Sequence, residues 1–250
     1  MAPANQILVL NLAKDYVHDC IPVAAACVKR LGTKLGAEVV VSETAEPYFD
    51  TIEELGKFNV LVFNSNSGEL FNNTQKAVFE EYVRGGYGSL LGLHSATAAF
   101  LSGADASGAT VMATTYPFFA DTWGASFTDH PPIQDGVVYT DREACTAVGL
   151  DLPTSYPTSD EWYNFDRNPT ENDKISILAF ADVSKITGNK MGEHHPLIWC
   201  HKALEKTPVF YTALGHHAEA YESDETVIEM VRAGLKWCLD QQGTSEHVAH

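Results

Sequence analysis

Positive charge is what this chain has least of. Sixteen lysines and arginines stand against 33 aspartates and glutamates, a formal net charge of −17. A surface of that sign repels phosphate backbones and anionic lipid, so neither nucleic acid nor a membrane is an expected partner. No apolar run approaches bilayer-spanning length. Met1 to Asn5 lead straight into QILVLNL, with no basic stretch ahead of a long apolar segment, so no secretory signal is expected. Cysteine is scarce as well. Cys20, Cys27, Cys145, Cys200 and Cys238 are odd in number and scattered, which argues against a disulfide framework and against C-x-x-C zinc spacing. Cys20 and Cys27, seven apart, read as one packed helix face. The expected compartment is reducing and cytoplasmic. H-E-x-x-H and G-x-S-x-G are also missing, so no ready-made zinc protease or serine hydrolase signature is present.

What the chain does have is apolar content: 45% of 250 residues, enough for one sizeable core. Gln6 to Asn11 is a short apolar run suited to a strand buried on both faces. A helix is predicted from about Asp19 to Leu35, with Asp19 as N-cap and Pro22 in its first turn. Glu38 to Ser42 is a second strand, Asp50 to Leu55 a short helix, and Asn59 to Asn64 a third strand. Asn73 to Arg84 is amphipathic and stops at Gly85-Gly86, and Gly88 to Leu93 is a fourth strand. The alternation predicts an α/β fold, a mostly parallel central sheet with helices on both faces. Ligands of such sheets bind at the carboxyl ends of the strands. Those ends carry Asn11, Asn64-Ser65 and His94-Ser95. The second half is less regular; strands are predicted at Lys174–Ala181, Leu197–His201 and Thr207–Ala213, and a helix at Asp224–Leu239. Residues 1–242 read as a single domain and Gly243 to His250 as a mobile tail.

Reactive side chains gather in four places: Gly92-Leu93-His94-Ser95, Asp129-His130-Pro131, Asp160-Glu161-Trp162-Tyr163, and the late segments HHPLIWCH and YTALGHHAEAY. His18, after the first strand, belongs near the same rim. His94 stands at the tightest point of a strand-turn-helix connection, a poor place for a packing residue. A helix N-terminus beneath it would favour the neutral ring, the form a metal ligand or general base requires. His216 emerges at a strand end in the same way. Each histidine also has an ordinary reading as a turn or loop residue. Ser95 is displaced by one residue from a nucleophile position and is more simply a cap; Cys200 alternates away from His201. Trp162 and Tyr163 beside Asp160 and Glu161 suit a sugar, with aromatic faces on the ring and carboxylates on the hydroxyls.

Taken together, LLGLHSAT, DHPP, DEWYNF, HHPLIWCH and VFYTALGHHAEAY resemble the ThuA-like (trehalose-utilisation) family across nearly the whole chain. That family is similar to the class I glutamine amidotransferase (flavodoxin-like) fold. On this resemblance His94 takes the place of the nucleophilic cysteine and His216 that of the catalytic histidine, which argues against amidotransferase chemistry. The resemblance implies sugar metabolism, with trehalose or keto-glycosides as substrates, and a divalent metal. The expected protein is therefore a hydrolase, isomerase or lyase. His94, Glu161 and His216 are its expected catalytic residues and metal ligands, and Zn²⁺ is the expected ion. Asn11, Asn64, Ser65, Ser95, His130, Asp160, Trp162, Tyr163 and His201 are its expected substrate contacts. No nucleotide cofactor is expected, the partner is a small polyhydroxylated molecule, and a homo-oligomer is compatible. Two alternatives stand beside this reading: a tailoring enzyme for a non-sugar metabolite using the same residues, and a non-catalytic binding protein on an old enzyme scaffold.

Overall fold

The computed structural model describes residues 4–102 and 112–241; the tail expected at 243–250 lies outside them. The first half runs β1 (Gln6–Leu10), α1 (Cys20–Lys34), β2 (Glu38–Ser42), α2 (Ile52–Leu55), β3 (Val60–Asn64), α3 (Asn73–Gly85), β4 (Ser89–Leu93). The second half adds α4 (Pro117–Trp123), β5 (Gln134–Thr140), α5 (Arg142–Val148), β6 (Ser155–Asp160), β7 (Ser176–Ala181), β8 (His195–Ala203), β9 (Thr207–Thr212), α6 (Ala220–Ser223) and α7 (Glu225–Asp240). Two small antiparallel pairs, 101–102 with 113–114 and 127–129 with 164–165, lie outside the main sheet.

The nine strands form one sheet in the order β2-β1-β3-β4-β9-β8-β7-β5-β6. Pairing is parallel from β2 through β9 and antiparallel from β9 to β6. The sheet is thus mixed, and the parallel pattern read from the first hundred residues stops at β9. Strand alternation divides the interior in two. Ile7 and Val9 of β1 and Val60 and Val62 of β3 pack with Val28 of α1 and Leu235 of α7. Leu8, Leu10, Leu61 and Phe63 face the other way, onto Phe79 of α3 and Phe119 of α4. Each fully buried side chain of this size contributes about 1.5–3 kcal/mol. That is why these strands read as continuous apolar runs rather than as alternating ones.

Local signals explain the helix ends. Asn72 and Gln75 form a reciprocal capping box at the start of α3, and Gly86 closes it in the left-handed conformation. Asp19 precedes α1 but makes no side-chain cap. β5 and β6 escaped the sequence reading for physical reasons. β5 is interrupted by Gly136, and β6 is a polar edge strand carrying Pro157, which an interior strand would not tolerate. α5 had visible punctuation in its Asp141 cap and Gly149 stop, but it is only seven residues long.

Gly92, two residues before the end-of-strand histidine, is needed for space. A Cβ there would lie 2.8 Å from the Trp123 ring and 2.9 Å from the Tyr211 ring, both fully buried. Neither aromatic can swing into solvent. Gly92→Ala is expected to destabilise the fold by about 1–3 kcal/mol, measured as a lower midpoint in denaturant with unchanged slope.

Candidate functional site

At the end of β4 the backbone turns on His94 itself, which has φ +49°, a region that non-glycine residues seldom occupy. A short, kinked 3₁₀ segment, His94–Ala98, follows. So short a turn carries little of the dipole expected from an α-helix. The ring is set instead by hydrogen bonding. Nδ1 lies 2.8 Å from the Ala213 carbonyl oxygen, which can only accept. Nδ1 therefore carries the proton, and Nε2 presents a lone pair to the site. The Tyr163 hydroxyl donates to that Nε2 at 2.9 Å. The Tyr211 hydroxyl donates to the His94 carbonyl at 2.7 Å, holding the strained turn from behind.

His216 follows β9 through Gly215, whose φ of +118° suits glycine alone, and whose added Cβ would collide with the Tyr221 hydroxyl. Asp160, at the end of β6, is the clamp for this loop. It accepts the N–H groups of Gly215 at 2.8 Å, of His216 at 3.3 Å and of Glu161 at 2.8 Å. Burial pushes its carboxyl up, against the favourable pull of His94 and these backbone donors. His18 arrives from the β1–α1 connection, with Nδ1 3.3 Å from the Ser95 hydroxyl.

These side chains meet around Glu161. Its Oε2 lies 3.3 Å from His94 Nε2, 3.2 Å from His216 Nδ1 and 3.9 Å from His18 Nε2; its Oε1 lies 3.5 Å from His130 Nε2. One ligand atom from each of His18, His94, Glu161 and His216 falls within 4.8 Å of all the others. Glu161 Oε2 and His216 Nδ1 are buried and face each other at 3.2 Å without good hydrogen-bond geometry. Buried polar atoms left unpaired are costly, about 1–3 kcal/mol each. Three imidazole nitrogens and a carboxylate oxygen suit Zn²⁺ or a similar divalent ion, so the donor set fits a cation. Burial raises the Glu161 carboxyl, but the close approach of His18, His216 and His94 outweighs it, so the group sits well below the usual carboxylate range. Contact with Glu161 raises His216, and burial lowers His18. Burial lifts Tyr163 well above the ordinary phenol, so its hydroxyl keeps its proton.

The cluster opens into a cavity of about 310 Å³ whose lining includes His18, Ser95, His130, Glu161 and Tyr163. The sequence profile of the family described as "Trehalose utilisation", ThuA, matches residues 6–238. The chain belongs to the ThuA family. A protein described as ThuA-like from Bacteroides uniformis is 19% identical over 95% of this chain and 93% of that one, with a TM-score of 0.72. A second, from Parabacteroides merdae, is 17% identical over 98% and 93%, with a TM-score of 0.67. At those identities the likeness is one of fold. A glutamine amidotransferase superposes more loosely, with a TM-score of 0.46 at 13% identity over 93% and 98%, too loosely to carry function across. No functionally curated protein is detectably similar in sequence. No helix among the described residues is long and apolar enough to cross a membrane.

Within this ThuA chain the expected site residues separate. His94, Glu161 and His216 come together, and Ser95, His130 and Tyr163 line the cavity beside them. Asp160 is adjacent but faces backbone. Several other assignments need correction. Trp162 is a core residue: it is fully buried, and its indole N–H donates to the Gln134 carbonyl at 2.9 Å. Asn64 donates to Asn11 Oδ1 at 2.9 Å and to the Ile21 carbonyl at 2.8 Å, tying the end of β3 to the segment after β1 and to the first turn of α1. Ser65 is buried, with its hydroxyl 3.4 Å from the Cys20 thiol. His201 pairs with Val209, which pairs with Leu90, so it sits at the opposite end of the sheet from His94. His195, in the HHPLIWCH segment, is fully buried between Asn189 and the Tyr163 carbonyl. The sequence reading left His18 out of the ligand set. Its signal was position alone, a histidine in the first strand-to-helix connection.

Two outcomes are expected. Asp160→Asn replaces an acceptor with an N–H₂ that opposes a backbone donor. It should destabilise the protein by about 1–3 kcal/mol in thermal unfolding, because the backbone N–H groups that position Glu161 and His216 lose their shared acceptor. His201 reports on acid stability. Burial lowers it to about 4, and its Nδ1 is buried without a partner. The unfolded chain, with a histidine near 6.5, takes up this proton first. The contribution is therefore complete above pH 6.5 and lost as pH falls through 4, on the order of 3 kcal/mol. Denaturant titrations of His201→Gln across that window should show a shallower loss than wild type, with other buried histidines supplying the remainder.

Proposed function

We propose that this chain is an enzyme of carbohydrate metabolism that acts on keto-glycosides at a divalent-metal centre held by His18, His94, Glu161 and His216. The observation that carries this reading is the meeting of those four side chains, with Glu161 Oε2 and His216 Nδ1 buried and 3.2 Å apart without good hydrogen-bond geometry. The carbohydrate half rests on membership of a family described by trehalose utilisation. A bound Zn²⁺ would supply Lewis-acid polarisation of a sugar oxygen.

The chain's own groups supply the rest. The Ala213 carbonyl fixes the tautomer of His94, so that its Nε2 lone pair faces the site, where a bound ion would take the place of the Tyr163 hydroxyl. Tyr163 holds a proton on its hydroxyl at the cavity floor, where it can be donated to a substrate oxygen. His130 donates from Nδ1 to the Pro131 carbonyl at 2.8 Å, which leaves Nε2 directed toward Glu161 and the cavity. That nitrogen is placed to take a proton from a carbon next to a carbonyl, the step that lyase and isomerase reactions share. Ser95 and the apolar lining residues Leu101, Met112 and Phe127 position the remainder of the substrate and exclude water.

The apolar part of that wall favours a second reading, in which the same groups act on a sugar-free carbonyl metabolite. Chelator-stripped protein titrated with Zn²⁺ should bind one ion per chain, and Glu161→Gln should weaken binding about 100-fold or more. Turnover of keto-glucosides should vanish in chelator and return with metal. Absence of stoichiometric binding, or His94→Ala binding as wild type does, would remove the metal centre. Turnover confined to sugar-free carbonyl compounds would favour the second reading.

A further inference from the structure

His94 Nε2 has one lone pair and two claimants. The Tyr163 hydroxyl donates to it at 2.9 Å. Nδ1 donates to the Ala213 carbonyl, so the ring has no second acceptor to offer. A divalent cation in the cluster needs the same electrons. It would take them at about 2.0–2.1 Å, inside the 2.9 Å at which the phenol oxygen sits. Hydrogen bond and coordination bond therefore exclude each other at this nitrogen.

The phenol has little room to withdraw. Tyr163 is 2% exposed. Its carbonyl accepts from His195 Nε2 at 2.9 Å, which pins the backbone. Its ring lies against Phe127 and His94, with centroids 4.5 Å and 4.8 Å away. Loss of the His94 contact would turn the hydroxyl without taking it out of the cavity that Tyr163 lines. His94 keeps its orientation without that contact, since Ala213 holds Nδ1 and Tyr211 holds the His94 carbonyl. His18, His94, Glu161 and His216 already supply the usual number of protein donors to zinc, so the phenol is not needed as another. A buried hydroxyl left without an acceptor is costly, and a sugar oxygen entering the cavity supplies one.

We propose that Tyr163 couples cation binding to substrate binding. Its hydroxyl holds His94 Nε2 until a divalent cation displaces it, and the displaced hydroxyl donates to a sugar oxygen. This rests on the metal-centre and carbohydrate reading above. The hydroxyl keeps its proton throughout; only its acceptor changes. Tyr163 therefore opposes the ion alone and ceases to oppose it once sugar is bound. By linkage, the ion tightens sugar binding by the same factor as sugar tightens ion binding.

The test is calorimetric titration of Zn²⁺ into the chelator-stripped full chain, with and without saturating methyl keto-glucoside. Wild type and Tyr163→Phe are compared; the change removes one oxygen and keeps the packed ring. Without sugar, Tyr163→Phe should bind Zn²⁺ about three- to tenfold tighter than wild type, the weight of one hydrogen bond. A merely structural role would weaken binding instead. The sugar should tighten Zn²⁺ in both proteins by direct contact with the ion, and in wild type also through Tyr163. The gain in Tyr163→Phe should be about three- to tenfold smaller. Zinc binding by Tyr163→Phe equal to or weaker than that of wild type overturns the proposal and leaves the metal centre standing. A tyrosinate absorption band raised by Zn²⁺ in wild type would make the phenol a ligand and overturns it too. A sugar gain equal in the two proteins overturns the transfer to substrate. No effect of the sugar on either protein overturns the carbohydrate reading and the coupling with it. No zinc binding by wild type removes the metal centre itself.

Discussion

A single buried carboxylate holds the candidate centre together. Asp160 ends β6, yet it grips the backbone N–H groups of Gly215 and His216 beyond β9, and of Glu161 next to itself. In sheet order β8, β7 and β5 lie between those two strands. The clamp therefore joins parts of the chain that strand pairing leaves apart. Without it, Glu161 and His216 would sit on two independent loops, each with its own freedom. With it, their backbones share one acceptor and their side chains converge to 3.2 Å. Charge-assisted bonds from backbone donors are among the stronger polar interactions, and here they are shielded from water.

The second constraint is the turn at His94. A backbone with φ +49° on an imidazole is strained, and strain of that kind persists only where the surroundings over-determine it. They do so here: Tyr211 holds the His94 carbonyl, Ala213 holds Nδ1, and Tyr163 meets Nε2. Three contacts fix one ring in position, orientation and tautomer. Strand ends and backbone thus do for this centre what an H-E-x-x-H helix does in proteins with a local ligand motif. The cost is that the candidate ligands lie far apart in sequence, from residue 18 to residue 216.

This division explains which residues were legible. β1, β3 and β4 announce themselves because a strand buried on both faces must be apolar throughout, and the turn at His94 is visible because an imidazole there has no packing role to play. Glu161 and Tyr163 stood out by their company. Trp162 stood out for the same reason and was misread. One residue along an extended segment reverses the direction of a side chain, and that reversal sends Trp162 into the core and Tyr163 into the cavity. His201 was misplaced because a strand's direction in the sheet is not written in its own residues: β8 runs antiparallel to β9, so its last polar residues point to the end opposite His94.

The sequence by itself determined the acidic, apolar-cored α/β chain, the strand-to-turn junction at His94, and the family to which those motifs belong. These follow from local periodicity and residue type, which each segment carries whatever its neighbours do. The tertiary structure alone decided that His18 joins the cluster, that the sheet turns antiparallel after β9, and that Asp160 is a clamp on backbone N–H groups. Those depend on which distant segments become neighbours, and a side chain's chemistry is set by the partners it meets there.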